Sequence, residues 1–219
     1  MTVIAPKLTL ERRLLSECEL IIALDEVGRG ALAGPVAVGA AVMDAAGSRR
    51  RVPEGLRDSK LVTEKRRPEV AMRAAAWVSA SGVGWASAAE IDEVGIMHAL
   101  GLAASRAVQS VVDQGVEVEN ALVLLDGNHD YVSRVHPVPL RVRSQVKADR
   151  DCASVSAASV IAKVARDAYM TELHDEHPDY QWSRNKGYAS VEHRDAIRTL
   201  GLSPYHRASW AIADAPTLF

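Results

Sequence analysis

Asp25 and Glu26 close a short apolar run, Asp126 closes another just before Gly127, and Asp149 lies just past an alternating segment, residues 140–146, and just ahead of a helical stretch. In open α/β sheets ligands bind outside the carboxyl ends of the strands, so acids at several strand ends point to one site. Carboxylates gathered without bases repel one another, and one or more keeps its proton unless a cation neutralises the set. Oxygen ligands of this kind suit hard divalent cations, Mg²⁺ or Mn²⁺. Each acid taken singly also fits a structural role: Asp149 or Asp151 as a helix N-cap, Asp126-Gly127 as a turn, Asp25 as a strand-end residue. Adjacent strand residues point to opposite faces, so Asp25 and Glu26 share an ion only if the chain twists or bulges there.

The elements that must position these acids follow from the hydrophobic pattern. Residues 20–24 (LIIAL) form a β-type run leading into a glycine-rich turn, Gly28-Arg29-Gly30. Residues 35–43 read as a second strand, residues 83–88 as a third, residues 121–125 (ALVLL) as a fourth buried on both faces, and residues 140–146 as a half-exposed fifth. Helical spacing predicts helices over residues 64–79, ended by Gly82 and Gly84, over 89–114 as one long helix, over 151–174, and over 191–200. The 151–174 helix carries many small residues (Ala153, Ala157, Ala158, Ala162), which close packing on a sheet explains. Strands first, then alternating helices and strands, argue for one α/β domain with a mixed sheet.

The 219 residues suit a domain of ordinary size, and 48% apolar with 25% charged residues excludes a disordered or fibrous chain. The longest apolar runs fall well short of the roughly 18–20 residues of a membrane-spanning helix. The N-terminal residues lack a signal-peptide pattern, and two cysteines, Cys18 and Cys152, cannot build a disulfide framework, so a reducing cytoplasm is expected. Net charge is −2, but residues 49–73 hold nine Lys/Arg against four Asp/Glu, and residues 134–150 hold five against Asp149 alone. Such local basic segments can follow a phosphate backbone, or simply be solvated faces. The spacing Gly28-x-Gly30-x-x-x-Gly34 approaches a dinucleotide fingerprint, but it is one residue long, Pro35 opens a strand instead of a helix, and Asp25-Glu26 would repel a pyrophosphate. His174-x-x-His177 lacks a second pair to complete a zinc site.

Taken in order, Asp25-Glu26-Val27-Gly28-Arg29-Gly30, Asp58-Ser59-Lys60, Leu124-Leu125-Asp126-Gly127, Lys147-Ala148-Asp149 with the following segment 156–167 (SAASVIAKVARD), and Asn185-Lys186-Gly187-Tyr188 closely resemble the type 2 ribonuclease H (ribonuclease HII) family. The motifs span about residues 20–210 and occur in family order. Two departures are visible: Ala148 stands where the family often has glycine, and Arg49-Arg50-Arg51 enlarges the loop before Asp58.

The resemblance implies a ribonuclease-H-like fold, a mixed five-stranded sheet flanked by helices with a small C-terminal helical region. It divides the chain into an N-terminal extension (1–19), a catalytic domain (20–178) and a C-terminal loop and helix completing the substrate groove (179–219). It implies an endonuclease that cuts the RNA strand of RNA–DNA hybrids and cuts 5′ of single ribonucleotides embedded in duplex DNA, leaving 3′-OH and 5′-phosphate ends, as in ribonucleotide excision during DNA repair and replication. Asp25, Glu26, Asp126 and Asp149 match the metal-binding carboxylates, with two Mg²⁺ or Mn²⁺ ions expected and Asp25 bridging them. Gly28, Arg29 and Gly30 match the loop that reads the ribose 2′-OH, Tyr188 the tyrosine that packs on the following sugar, and Lys60 a phosphate-contacting lysine. Expected partners are RNA–DNA hybrids or duplex DNA with embedded ribonucleotides, with a monomeric protein and no membrane; the C-terminal Thr217-Leu218-Phe219 resembles a sliding-clamp peptide, and an apolar end folded back on the domain is the favoured alternative. The type 3 ribonucleases H, which carry an extra N-terminal domain, are the rival reading, and a non-catalytic binder would have no use for acids facing phosphates.

Overall fold

The computed structural model describes residues 5–210. Strands β1 (Leu20–Val27), β2 (Val36–Asp44), β3 (Ala80–Ala86), β4 (Ala121–Asp126) and β5 (Arg141–Gln145) form a sheet in the order β3-β2-β1-β4-β5. The first three strands in sequence pair antiparallel, whereas β4 lies parallel to β1 and β5 parallel to β4. The helices are α1 (Thr9–Leu14), α2 (Arg67–Trp77), α3 (Ala88–Val94), α4 (Ile96–Val112), α5 (Ala148–Asp151), α6 (Ala153–Glu176), α7 (Trp182–Asn185) and α8 (Val191–Leu200). This is the mixed five-stranded α/β architecture expected from the sequence.

Alternation along the buried strands feeds two cores. Ile21, Ala23, Met43 and Leu124 pack with residues of α2 and α6 on one face, and Ile22, Leu24, Val123 and Leu125 pack with α4 on the other. Both helix layers come down hard on the sheet. A Cβ at Gly39 would collide with the backbone of Ala158 in α6, and one at Gly84 with the backbone of Ala103 and Ala107 in α4. The small residues of α6 are thus needed where they stand.

Several boundaries differ from the sequence reading. The third strand spans Ala80–Ala86 instead of 83–88, because Gly82 and Gly84 are strand residues that admit α4, and α2 ends at Trp77 without them. The predicted helix over 89–114 is two helices, α3 and α4, divided at Gly95, whose φ of 77° no helix accepts. The helix expected from residue 151 starts at Ala153, and Asp149 lies in the separate short α5, with Cys152 extended between them.

Residues before β1 brace this junction. Lys7 bridges to Cys152, and the buried Glu11 of α1 accepts the Ser154 N–H and Oγ–H at 2.9 Å each, capping α6. A third cluster, including Ala33, Met170, Leu173, Tyr180, Trp182 and Ile197, ties residues 178–200 to α6 and to the loop after β1. Among the described residues no helix is long and apolar enough to cross a membrane. The C-terminal Thr217-Leu218-Phe219, named for a clamp contact, lies outside the described residues.

Candidate active site

β1 outruns its parallel neighbour. The β1–β4 ladder ends at Leu24↔Leu125, so Asp25 and Glu26 remain paired only with Gly39 and Val38 of β2. Asp126 is the last residue of β4 and pairs outward with Gln145 of β5. The sheet therefore opens between β1 and β4 where β1 carries Asp25 and Glu26 and β4 ends at Asp126. Asp149 joins them from α5, its backbone N–H donating to Asp126 Oδ1 at 3.2 Å. Asp25 and Asp149 are nearly buried, at 7% and 8% exposure.

The register through Asp25 and Glu26 is unbroken, so the strand supplies no bulge and the two side chains leave on opposite faces. Asp25 continues the row of Ile21 and Ala23 toward α6, where the neighbouring Ser159 hydroxyl acts to lower its carboxyl against the larger effect of burial. Glu26 continues the row of Ile22 and Leu24 toward α4 and accepts the Tyr131 hydroxyl at 3.3 Å.

Burial is the main cause raising the carboxyls of Asp25, Glu26 and Asp149 above their ordinary range. The negative charge of Asp126 raises all three further, so it is the group they have in common. Two protein cations partly offset this. Arg29 lies 3.6 Å from Glu26 and lowers it, and Lys60 Nζ lies 3.5 Å from Asp149 Oδ2 and lowers that acid. Burial alone would lower Lys60, but Asp58, Asp149 and Asp25 outweigh it and raise the ammonium.

Among the described residues no group of three or more His, Cys, Asp or Glu side chains stands ready to hold a metal ion. The four acids are gathered at one end of the sheet without closing on a common centre. Their chemistry still fits a hard divalent cation: oxygen donors, two of them nearly buried, whose mutual repulsion such a charge would relieve.

The other residues singled out in the sequence lie beside these acids. Asp25, Glu26, Gly28, Arg29, Gly30, Lys60 and Tyr188 line an open cleft of about 490 Å³, together with Arg67 and Lys163. Gly28 has a φ of 84°, and a Cβ there would collide with the Arg166 guanidinium. Around Gly30 nothing lies within 4 Å of an added Cβ, so the space beside it is open. Tyr188 is 36% exposed, with Lys163 Nζ 5.8 Å and Arg166 Cζ 5.5 Å from its ring centroid.

Against known proteins, the family model for ribonuclease HII matches residues 22–213. The ribonuclease HII of Streptomyces avermitilis is 46% identical over 212 residues, covering 96% of this chain and 85% of that protein. The chain belongs to the ribonuclease HII family. The ribonuclease H2 of Pyrococcus horikoshii superposes with a TM-score of 0.70 at 25% identity, over 89% of this chain and 95% of that one. A Bst ribonuclease HIII in complex with Mn²⁺ shares the fold, with a TM-score of 0.66 at 22% identity, over 88% of this chain and 66% of that one. Ribonuclease HII enzymes are metal-dependent endoribonucleases, the enzyme class read from the sequence motifs.

Several residues of this family member's site were not legible in the sequence. Tyr131 hydrogen-bonds Glu26, and Ser159, which acts to lower the Asp25 carboxyl, donates to Ser59 Oγ at 3.1 Å, linking α6 to the Asp58–Lys60 turn. Ser159 and Arg166 stand inside a quoted motif that otherwise reads as a packing helix. Arg207 and the contact between His193 and His206 lie in a stretch with no spacing template, so nothing local marks them.

Proposed function

We propose that this chain is an endonuclease that hydrolyses the RNA strand of RNA–DNA hybrids and cuts 5′ of single ribonucleotides embedded in duplex DNA, leaving 3′-OH and 5′-phosphate ends. The observation that carries the reading is the gathering of Asp25, Glu26, Asp126 and Asp149 at one sheet edge, beside a cleft lined by Gly28–Gly30, Lys60 and Tyr188. In this reading the four carboxylates hold two Mg²⁺ or Mn²⁺ ions, which supply an activated water and charge neutralisation at the leaving 3′-oxygen. The Mn²⁺ complex of the Bst ribonuclease HIII supports the choice of ion.

The chain's own residues do the selecting. RNA differs from DNA by the 2′-OH, which both donates and accepts a hydrogen bond. The exposed backbone at Arg29 and Gly30, with open space where a Gly30 side chain would be, lets main-chain groups approach that hydroxyl. Tyr188 offers an exposed ring for the next sugar, where an added 2′-OH would crowd it, so the enzyme senses an RNA-to-DNA junction. Lys60, Arg67 and Lys163 line the cleft and bind the backbone phosphates. The nearly buried setting of Asp25 keeps bulk water from screening its charge. The protein works as a cytoplasmic monomer in this account, with residues 1–19 as an extension, 20–178 as the catalytic unit and 179–219 completing the groove.

The test is incubation with end-labelled duplex DNA carrying one ribonucleotide, with Mg²⁺, with Mn²⁺ and with chelator. A single cut 5′ of the ribonucleotide, lost with chelator, is expected; cleavage in chelator, or none with either metal, overturns the reading.

A further inference from the structure

Two guanidinium groups lie beneath the loop after β1. Arg166 of α6 and Arg207 are both 0% exposed, and among the described residues neither forms an ion pair with a carboxylate. A buried charge is costly unless its hydrogen bonds are made, and here backbone carbonyls make them. Arg207 donates to the carbonyls of Gly28 at 2.6 Å, Arg29 at 2.8 Å and Gly34 at 3.1 Å. Arg166 donates to those of Pro35 at 2.8 Å, Ala33 at 3.1 Å and, across the cleft floor, Lys186 at 2.9 Å.

This arrangement fixes where the loop's donors point. In a planar trans peptide the C=O of one residue and the N–H of the next point to opposite sides. With the Gly28 and Arg29 carbonyls drawn inward onto Arg207, the N–H groups of Arg29 and Gly30 face outward, on exposed residues that line the cleft beside Asp25 and Glu26. Arg166 does a second job. It fills the space beside Gly28, lies 5.5 Å from the Tyr188 ring centroid, and grips both the Ala33–Pro35 and the Lys186 backbone. The Gly187 carbonyl completes the tie by accepting the N–H groups of Leu32 and Ala33.

We infer that Arg166 and Arg207 are positioning residues for junction recognition: Arg207 aims the Arg29 and Gly30 amides at the ribonucleotide, and Arg166 sets the spacing between that loop and Tyr188. The inference deepens the proposed function and rests on it. The planar guanidinium spreads five N–H donors over three nitrogens in a fixed fork, whereas an ammonium gathers three rotatable donors on one atom and cannot span the same carbonyls in the same geometry. Arg→Lys therefore keeps the charge and removes the geometry.

The test compares the full-length protein with Arg207→Lys and Arg166→Lys in steady-state cleavage of a single-ribonucleotide duplex and a long hybrid, Mn²⁺ binding by calorimetry, and amide hydrogen exchange. Misplacing the donors by about an ångström is expected to lower kcat on the single ribonucleotide about 100-fold, with a smaller rise in KM and unchanged Mn²⁺ affinity. Amides of residues 31–34 are expected to exchange faster while those of β1 stay protected. Arg166→Lys is expected to spare the long hybrid relative to the single ribonucleotide. Wild-type kcat with unchanged exchange overturns the inference, as does a loss shared equally by both substrates and by Mn²⁺ binding. If Arg166→Lys fails to fold, Arg207→Lys, whose carbonyl partners all lie in the loop, decides. A wild-type protein that cleaves neither substrate refutes the proposed function instead, and the exchange data still judge the loop.

Discussion

Acidification should destabilise this protein through one histidine pair, by an amount the structure allows to be worked out. His206 Nδ1 accepts the Ser203 backbone N–H at 2.9 Å, so its proton sits on Nε2, which donates to His193 Nε2 at 3.1 Å. That same nitrogen accepts the Trp182 indole N–H at 3.1 Å, which leaves the His193 proton on Nδ1, donated to the Tyr188 carbonyl at 2.8 Å. Both rings are therefore neutral, and a further proton on either would set two N–H groups head to head. Burial is the main cause lowering both, and the neighbouring His193 pushes His206 further, down to about 4. The unfolded chain takes up this proton near 6.5 and the folded chain does not until about 4, so stability is complete above pH 6.5 and is lost as pH falls toward 4. A shift of that size is worth about 3 kcal/mol, at about 1.4 kcal/mol per unit. The raised carboxyls of Asp25, Glu26 and Asp149 act in the opposite sense, so the measurement must be differential. Urea unfolding of wild type and His206→Gln, at steps from pH 7.5 to 4, should show the wild-type advantage shrinking by about 3 kcal/mol, nearly all of it below pH 6.5. A gap between the two proteins that is flat with pH refutes the reasoning.

Asp126→Asn keeps an oxygen for the Asp149 N–H and removes the charge that three other acids feel, so circular dichroism should be unchanged while cleavage falls more than about 100-fold; near-normal turnover removes Asp126 from the site. Tyr188→Ala should impair cleavage at a single embedded ribonucleotide more than within a long hybrid, measured as the ratio of kcat/KM on the two; equal losses contradict junction sensing. Lys60→Ala should weaken hybrid binding and reduce the slope of log affinity against log salt by about one; an unchanged slope argues against a phosphate contact.

Asp25, Glu26 and Asp126 were legible because each follows directly on an apolar run, and apolar runs ended by Asp or Glu read as strand ends; Asp149 was legible from its place between the fifth strand and the next helix, and it stands on α5. The strand order, and the way β1 outruns β4, were not, since both depend on pairing between segments about a hundred residues apart. Gly82 and Gly84 read as helix stops, yet they serve the close approach of α4 to β3, a tertiary contact with no local signal. Arg207 reads as an ordinary surface residue because arginine is rarely buried, and only the fold reveals the carbonyls that hold it. The histidines that stood out by spacing, His174 and His177, are not the pair that meets. His177 packs edge-on against Trp182 and Tyr205, while His193 and His206, thirteen positions apart, form the hydrogen bond.

The proposed chemistry requires Asp25, Glu26, Asp126 and Asp149 to converge on divalent cations, and anomalous diffraction from crystals grown with Mn²⁺ and an uncleavable single-ribonucleotide duplex tests this most directly. Two manganese peaks are predicted at the open edge between β1 and β4, bound by oxygens of these four residues with the scissile phosphate against them. Manganese bound elsewhere, or at this edge without Asp25 and Asp126 among its ligands, would contradict the account.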